Sequence, residues 1–262
     1  MCYNDYKRTL VSPFKMNKRI VFSLGLMITS LLSNHFVLAQ ESTSAVTNQI
    51  WIDFNQSYKF SESFNLHTKI GAKTIFPKVW NKFYVSGEVS YNIPQFMFKK
   101  LMYREKVYAG VDFYYIYFTE EPDIVEISPY QGYTLSWPNR KRIILKHNVE
   151  LGQRFQWDVK YRNYSFGLKL SYEASLIFKF HGDVWEYGKG FYLAVSAKFW
   201  WNLIATTVFN DVMRITPGIG YEINPKWKTA FLVGYNYTRN LTVETFHTNN
   251  IIYRFRVYYK IN

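Results

Sequence analysis

The chain has 262 residues, 48% of them hydrophobic and 20% aromatic, with 32 Lys and Arg against 19 Asp and Glu. With only 13 Gly and 8 Pro it is too apolar for a linker-rich or disordered polypeptide and reads as one folded domain. Its single cysteine, Cys2, excludes a disulfide framework.

In chain order, the first element is a targeting segment. Lys15, Lys18 and Arg19 precede the apolar run Ile20 to Leu32, and Val37-Leu38-Ala39 offers a cleavage site. Ser33, Asn34 and His35 cut that run to the size of a signal peptide rather than a membrane anchor. The expectation is a cleaved signal peptide over 1–39, with residues 1–15 an extension upstream of Met16, followed by a folded domain over 40–262. Five basic residues and one acidic residue lie in the leader, which leaves 27 against 18 in the domain. Cys2 falls in the leader too, so the exported chain carries no thiol and no lipid-anchor cysteine.

Beyond residue 49 no stretch reaches the roughly 18 apolar residues of a membrane helix, and the recurring period is two. In 82–93, Phe83, Val85, Val89 and Tyr91 fall on one parity and Lys82, Ser86, Glu88 and Ser90 on the other. In 142–157, Ile143, Leu145, Val149, Leu151, Phe155 and Trp157 oppose Lys146, Asn148, Glu150, Gly152, Arg154 and Gln156; His147 and Gln153 are exceptions on the apolar side. Similar segments fit 50–60, 64–76, 106–117, 130–137, 164–180, 191–201, 213–223, 227–238 and 250–261, which makes eleven candidate strands. Single-chain bacterial membrane barrels use even numbers, so the expectation is a closed antiparallel transmembrane β-barrel of twelve strands, with ten as the fallback. A further strand is sought in 41–49 or 202–209. Ser61-Glu62-Ser63, Pro138-Asn139 and Asn224-Pro225-Lys226 read as tight turns, and 119–129, 202–211 and 239–249 as longer loops.

Alternation does not say which face is inside, and a soluble lipocalin-like barrel shows the same period with apolar residues inward. Aromatics near strand ends, including the interfacial candidates Trp137, Trp157, Trp201 and Trp227, favour girdles at a membrane surface. The strand count also exceeds a lipocalin's eight. An outer-membrane location in a Gram-negative cell follows, with outer-membrane lipid, lipopolysaccharide and the barrel-assembly machinery as partners. Nucleic acid is excluded, because the charges and aromatics sort to opposite faces and the leader exports the chain. The sequence does not set an oligomeric state.

The stretch Ser128-Pro129-Tyr130-Gln131-Gly132, followed by His147-Asn148-Val149-Glu150-Leu151-Gly152-Gln153-Arg154-Phe155, resembles the pattern of the Gram-negative outer-membrane domain-of-unknown-function family 2490. Trp51, the Tyr58-Lys59-Phe60 and Phe64-Asn65-Leu66 hairpin and the closing Tyr253-Arg254-Phe255-Arg256-Val257 are similar to that family's ends. The resemblance implies an outer-membrane barrel, no established activity, and a turn at Pro129, Tyr130, Gln131 and Gly132 that leads into a strand.

On the polar parity Lys69, Lys73, Lys106, Lys146, Lys169, Lys198, Arg154, Arg214, Arg254 and Arg256 oppose Asp53, Glu88, Asp112, Glu150, Glu173 and Glu222. Such an interior suits either a small channel that favours anionic solutes or a plugging charge ladder built on Glu150, Arg154, Glu173, Lys169, Arg254 and Arg256. The enzymatic alternative is a phospholipase-like lipid hydrolase based on His147-Asn148, but no serine follows to act as nucleophile. His67, His181 and His247 are scattered without metal-ligand spacing, so no catalytic residue, metal or cofactor is expected.

Overall fold

The computed structural model describes residues 46–76, 80–94, 104–140, 142–183, 186–204, 209–239 and 247–261. The signal peptide expected over 1–39 lies outside them. Eleven strands form one meander: β1 (Thr47–Lys59), β2 (Phe64–Phe76), β3 (Trp80–Ile93), β4 (Arg104–Phe118), β5 (Ile124–Arg140), β6 (Ile143–Asp158), β7 (Tyr164–Lys179), β8 (Gly190–Asn202), β9 (Asp211–Glu222), β10 (Trp227–Arg239) and β11 (His247–Ile261). Successive strands pair antiparallel, and β1 pairs parallel with β11 from Thr47↔Asn250 to Tyr58↔Ile261, which closes the barrel. A meander with an odd count leaves its first and last strands pointing the same way, so they can close only as a parallel pair.

Twelve strands, and the fallback of ten, are therefore corrected to eleven. The two-residue period located every strand, and the even-number rule misled because it does not allow for parallel closure. Of the places considered for another strand, 47–49 belongs to β1 and 203–204 is a bend, while 41–45 and 205–208 lie outside the described residues.

The register also fixes the barrel's size. Tracing paired residues once round the wall, from Trp51 through Lys73, Lys82, Ile116, Ile124 and Asp158, returns to β1 displaced by about fourteen residues. With strands ~4.8 Å apart and a rise of ~3.3 Å per residue, that stagger gives a tilt of about 41° and a mean radius of roughly 11 Å. Strands of 12 to 17 residues at this tilt rise roughly 30–40 Å along the barrel axis.

Two prolines sit in the middle of strands. Pro129 pairs with Val111 on β4 but is skipped in the β5–β6 register, and Pro217 pairs with Val195 on β8 but is skipped in the β9–β10 register. Each lacks the N–H that one neighbouring strand would need. Pro129, Tyr130, Gln131 and Gly132 are thus mid-strand residues of β5, which corrects the turn that the family resemblance implied.

Several connections differ from expectation as well. β5 continues through Pro138 and Asn139, with a register shift between Trp137 and Arg140, so the turn expected at Pro138-Asn139 is strand instead. The loop expected over 119–129 ends at 123. Turns 60–63 and 223–226 share one end of the barrel, the upper rim, with the longer connections 94–103 and 180–189, so short and long ends do not segregate.

The outward parity is the apolar one. Phe83 and Val85 are 55% and 52% exposed, while Tyr84 and Ser86 between and beside them are 6% and 2% exposed. The lipocalin-like arrangement is excluded on this ground. Inward tyrosines lie flat along the wall because glycines on the neighbouring strand leave room. A Cβ on Gly71 would meet the Tyr84 ring at 2.7 Å, one on Gly110 the Tyr130 ring at 2.6 Å, one on Gly132 the Tyr108 hydroxyl at 2.3 Å, and one on Gly220 the Tyr192 ring at 2.1 Å.

Candidate functional site: the outer belt and the charged interior

The outer wall has three zones. Aromatic side chains gather at the upper rim, with ring centroids 4.8 Å apart for Phe64–Tyr91, 4.8 Å for Phe191–Tyr221 and 4.5 Å for Trp227–Tyr259. A second band forms at the lower rim, where β1 begins, from Phe155–Phe166 at 5.2 Å, Trp157–Tyr164 at 5.7 Å and Phe199–Trp201 at 5.9 Å. Trp137 and Trp227 sit in the upper band and Trp157 and Trp201 in the lower. Between the bands the exposed residues are largely aliphatic, among them Ile52, Ile70, Val85, Val111, Val195 and Ile219. Among the described residues no Asp, Glu, Lys or Arg faces outward between the rims. Glu105 stands at the upper rim, and Asp211 and Arg239 pair at 3.8 Å at the lower.

The charges point inward instead. Near the lower rim Glu126, 2% exposed, accepts from Arg154 Nε and Nη2 at 2.9 and 2.8 Å and from Gln156 at 2.5 Å, with Lys82 at 3.9 Å. The Phe209 ring lies 4.2 Å from the Arg154 guanidinium and fills the space above Gly167. At mid-height Asp53 accepts from Tyr84, from Arg254 and, at 3.2 Å, from Arg256. Asp53 lies on β1 and both arginines on β11, so this carboxylate binds the parallel seam. Arg214 is sandwiched between Trp51 and Trp200 at 4.6 Å from each ring, and Lys73 stands 4.2 Å from the Trp51 ring.

Higher up, Lys106 approaches Glu88 at 3.6 Å, and Lys198 bridges Glu150 and Glu173 at 3.7 and 3.8 Å. At the upper rim Glu222 receives Lys179 at 2.7 Å, the Gly188 N–H at 3.1 Å and Lys228, which ties Gly188, just before β8, to the end of β9.

All sixteen charged residues assigned to the interior from the sequence lie on the inward parity. Their partners are not those that a ladder of Glu150, Arg154, Glu173 and Arg254 among themselves would give. Arg154 pairs with Glu126, Arg254 and Arg256 share Asp53, and Glu150 and Glu173 share Lys198. Among the described residues no carboxylate makes ion-pair contact with Lys69, Lys73, Lys146 or Lys169. The sequence reading set Lys82 on the polar parity but left it out of the interior charge set, as it did Glu126, Lys179 and Lys228, and it missed the inward rings of Trp51, Tyr84, Tyr108, Tyr130, Tyr192 and Trp200. Their signal was the parity they share with the charges.

His147 faces outward and its Nδ1 lies 2.7 Å from the Tyr172 hydroxyl, with the two rings stacked. Among the described residues no group of three His, Cys, Asp or Glu side chains converges in a way that would hold a metal ion. The His247 side chain is outside the described set. No helix of the described residues is long and apolar enough to cross a membrane, which leaves crossing by strands untouched.

Fold and site together define a closed β-barrel turned inside out, with an apolar exterior and an ion-paired, ring-lined interior. No protein-family model matches the chain, and no curated protein matches it. Among solved structures it is similar to the translocator domain of autotransporter NalP from Neisseria meningitidis, at 11% identity over 85% of this chain and 92% of that one, with a TM-score of 0.38.

Proposed function

We propose that the chain is a non-enzymatic outer-membrane barrel of a Gram-negative envelope, a structural protein whose interior is a fixed polar core rather than an open pore. The uncharged outer belt between two aromatic bands carries this reading. Hydrocarbon accepts only a closed backbone ladder with apolar side chains outside, and aromatic rings favour the two interfaces. The interior supports the structural role because Trp51, Tyr84, Tyr108, Tyr130 and Tyr192, each under 9% exposed, occupy a space only roughly 11 Å in mean radius.

The second reading, a small anion-favouring channel, rests on Lys69, Lys146 and Lys169, which among the described residues have no carboxylate within ion-pair distance. Expression from the whole gene, followed by fractionation and planar-bilayer recording, separates the two. The structural reading predicts heat-modifiable protein in the outer membrane and a bilayer that seals without discrete steps. Stepwise conductance with anion preference establishes the channel, and soluble protein overturns both. We read His147 and Tyr172 as a hydrogen-bonded lipid-facing pair; fatty-acid release that disappears in His147→Ala would restore the hydrolase.

A further inference from the structure

Two polar side chains interrupt the belt and find nothing to bond. Gln131 on β5 and Gln153 on β6 face outward near mid-height, and neither amide has a hydrogen-bond partner among the described residues. Three other outward polar side chains each have a partner: Gln56 accepts from Thr68 at 3.3 Å, His147 meets Tyr172 at 2.7 Å, and Tyr133 donates to Glu105 at 2.7 Å. On the far side of the barrel the outward residues of β9 to β11 are apolar through Ile215, Ile219, Phe231, Val233 and Phe255.

Gln131 pairs in register with Leu151, and Gln153 lies two residues further along β6. With strands tilted about 41°, this diagonal stands almost parallel to the barrel axis, so the two amides sit one above the other, roughly 8 Å apart. The wall beside them is low: Gln131 pairs with Ala109 on β4, and a Cβ on nearby Gly87 would meet nothing within 4 Å.

An amide facing hydrocarbon without a partner is costly. A primary amide is both donor and acceptor, so it complements a copy of itself, and a two-fold axis along the membrane normal brings like heights together. From this juxtaposition we propose that the β5–β6 face is the contact between two copies of this chain, Gln131 bonding to Gln131 and Gln153 to Gln153 across the two-fold.

The inference rests on the membrane reading under Proposed function, and the test keeps the two apart. The full chain carrying Cys2→Ser and Leu151→Cys, which places a thiol between the two amides, is reconstituted in phosphatidylcholine vesicles and treated with a short bis-maleimide. A parallel sample carries Val233→Cys on the opposite wall. Expected are a covalent dimer from position 151, at least five-fold less from position 233, and a similar five-fold loss at 151 when Gln131→Leu and Gln153→Leu are added while heat-modifiable folding persists. Inserted protein that gives no dimer, equal cross-linking at 151 and 233, a dimer indifferent to the leucines, or an adduct in native membranes of a size other than twice the chain each overturns the pairing. Protein that never enters vesicles refutes the membrane reading instead.

Discussion

Replacing Asp53 by Asn tests the seam most sharply. The carboxylate is 1% exposed and takes hydrogen bonds from Tyr84 on β3 and from Arg254 and Arg256 on β11. Asn keeps the shape but removes the charge, leaving two inward guanidiniums whose nearest anion is gone. Breaking a buried ion pair by removing one partner costs about 3–5 kcal/mol, and two arginines share this one, so the upper half of that range is expected. With a urea dependence near 3 kcal/mol per molar, the midpoint falls by roughly 1.3–1.7 M. The assay is reversible urea unfolding in detergent micelles, followed by tryptophan emission, with band mobility on unheated gels as a second probe. The change should appear mainly as faster unfolding, since pairing of β1 with β11 joins the two ends of the chain and depends on every other hairpin. A midpoint shift below about 0.3 M would refute the claim that this carboxylate holds the parallel closure.

Other outcomes follow from the same geometry. Glu126→Gln removes the bidentate partner of Arg154 and the counter-charge of Lys82, and should lower stability by about 3 kcal/mol in the same titration. Val85→Arg puts a charge on the outer belt and should cost about 2–4 kcal/mol in bilayer refolding, whereas a Lys146→Arg exchange inside should change stability by less than ~1 kcal/mol. Gly132→Ala drives a methyl against the Tyr108 ring, whose hydroxyl and Cζ would lie 2.3 and 2.4 Å away, and should cost roughly 1–3 kcal/mol; in a Tyr108→Ala background, which removes the ring, the cost should be smaller, and an undiminished cost would place the clash at the Val149 carbonyl.

Much of this architecture is written in period two. Alternation sorted Glu88, Glu150, Arg154, Arg254 and the other interior charges to one face and Phe83, Val85 and Phe255 to the other, because a one-residue slip would reverse every side chain. What it could not supply was partnership. Which carboxylate meets Arg154 depends on how β5 and β6 are staggered: Glu126 lies diagonally across on the neighbouring strand, whereas Glu150 is on the same strand as Arg154. The inward tyrosines escaped notice because aromatics were read as interfacial, although Tyr84, Tyr108, Tyr130 and Tyr192 each share a parity with charges and each abuts a glycine of an adjacent strand. The strand total was legible too, until a rule about even counts displaced it. The turn at Pro129 came from the family resemblance alone; the missing N–H interrupts only the ladder toward β6, and pairing with Val111 on β4 keeps the residue in its strand.

Spin labels placed singly at positions 82 to 90 of β3, in bilayers, test the central claim most directly. If hydrocarbon covers the outer belt, collisions with lipid-soluble oxygen peak at 83, 85, 87 and 89, and a water-soluble nickel chelate reaches none of them. Nickel access peaking at those same positions would show that water, not lipid, bathes the apolar face, and the account would fail there.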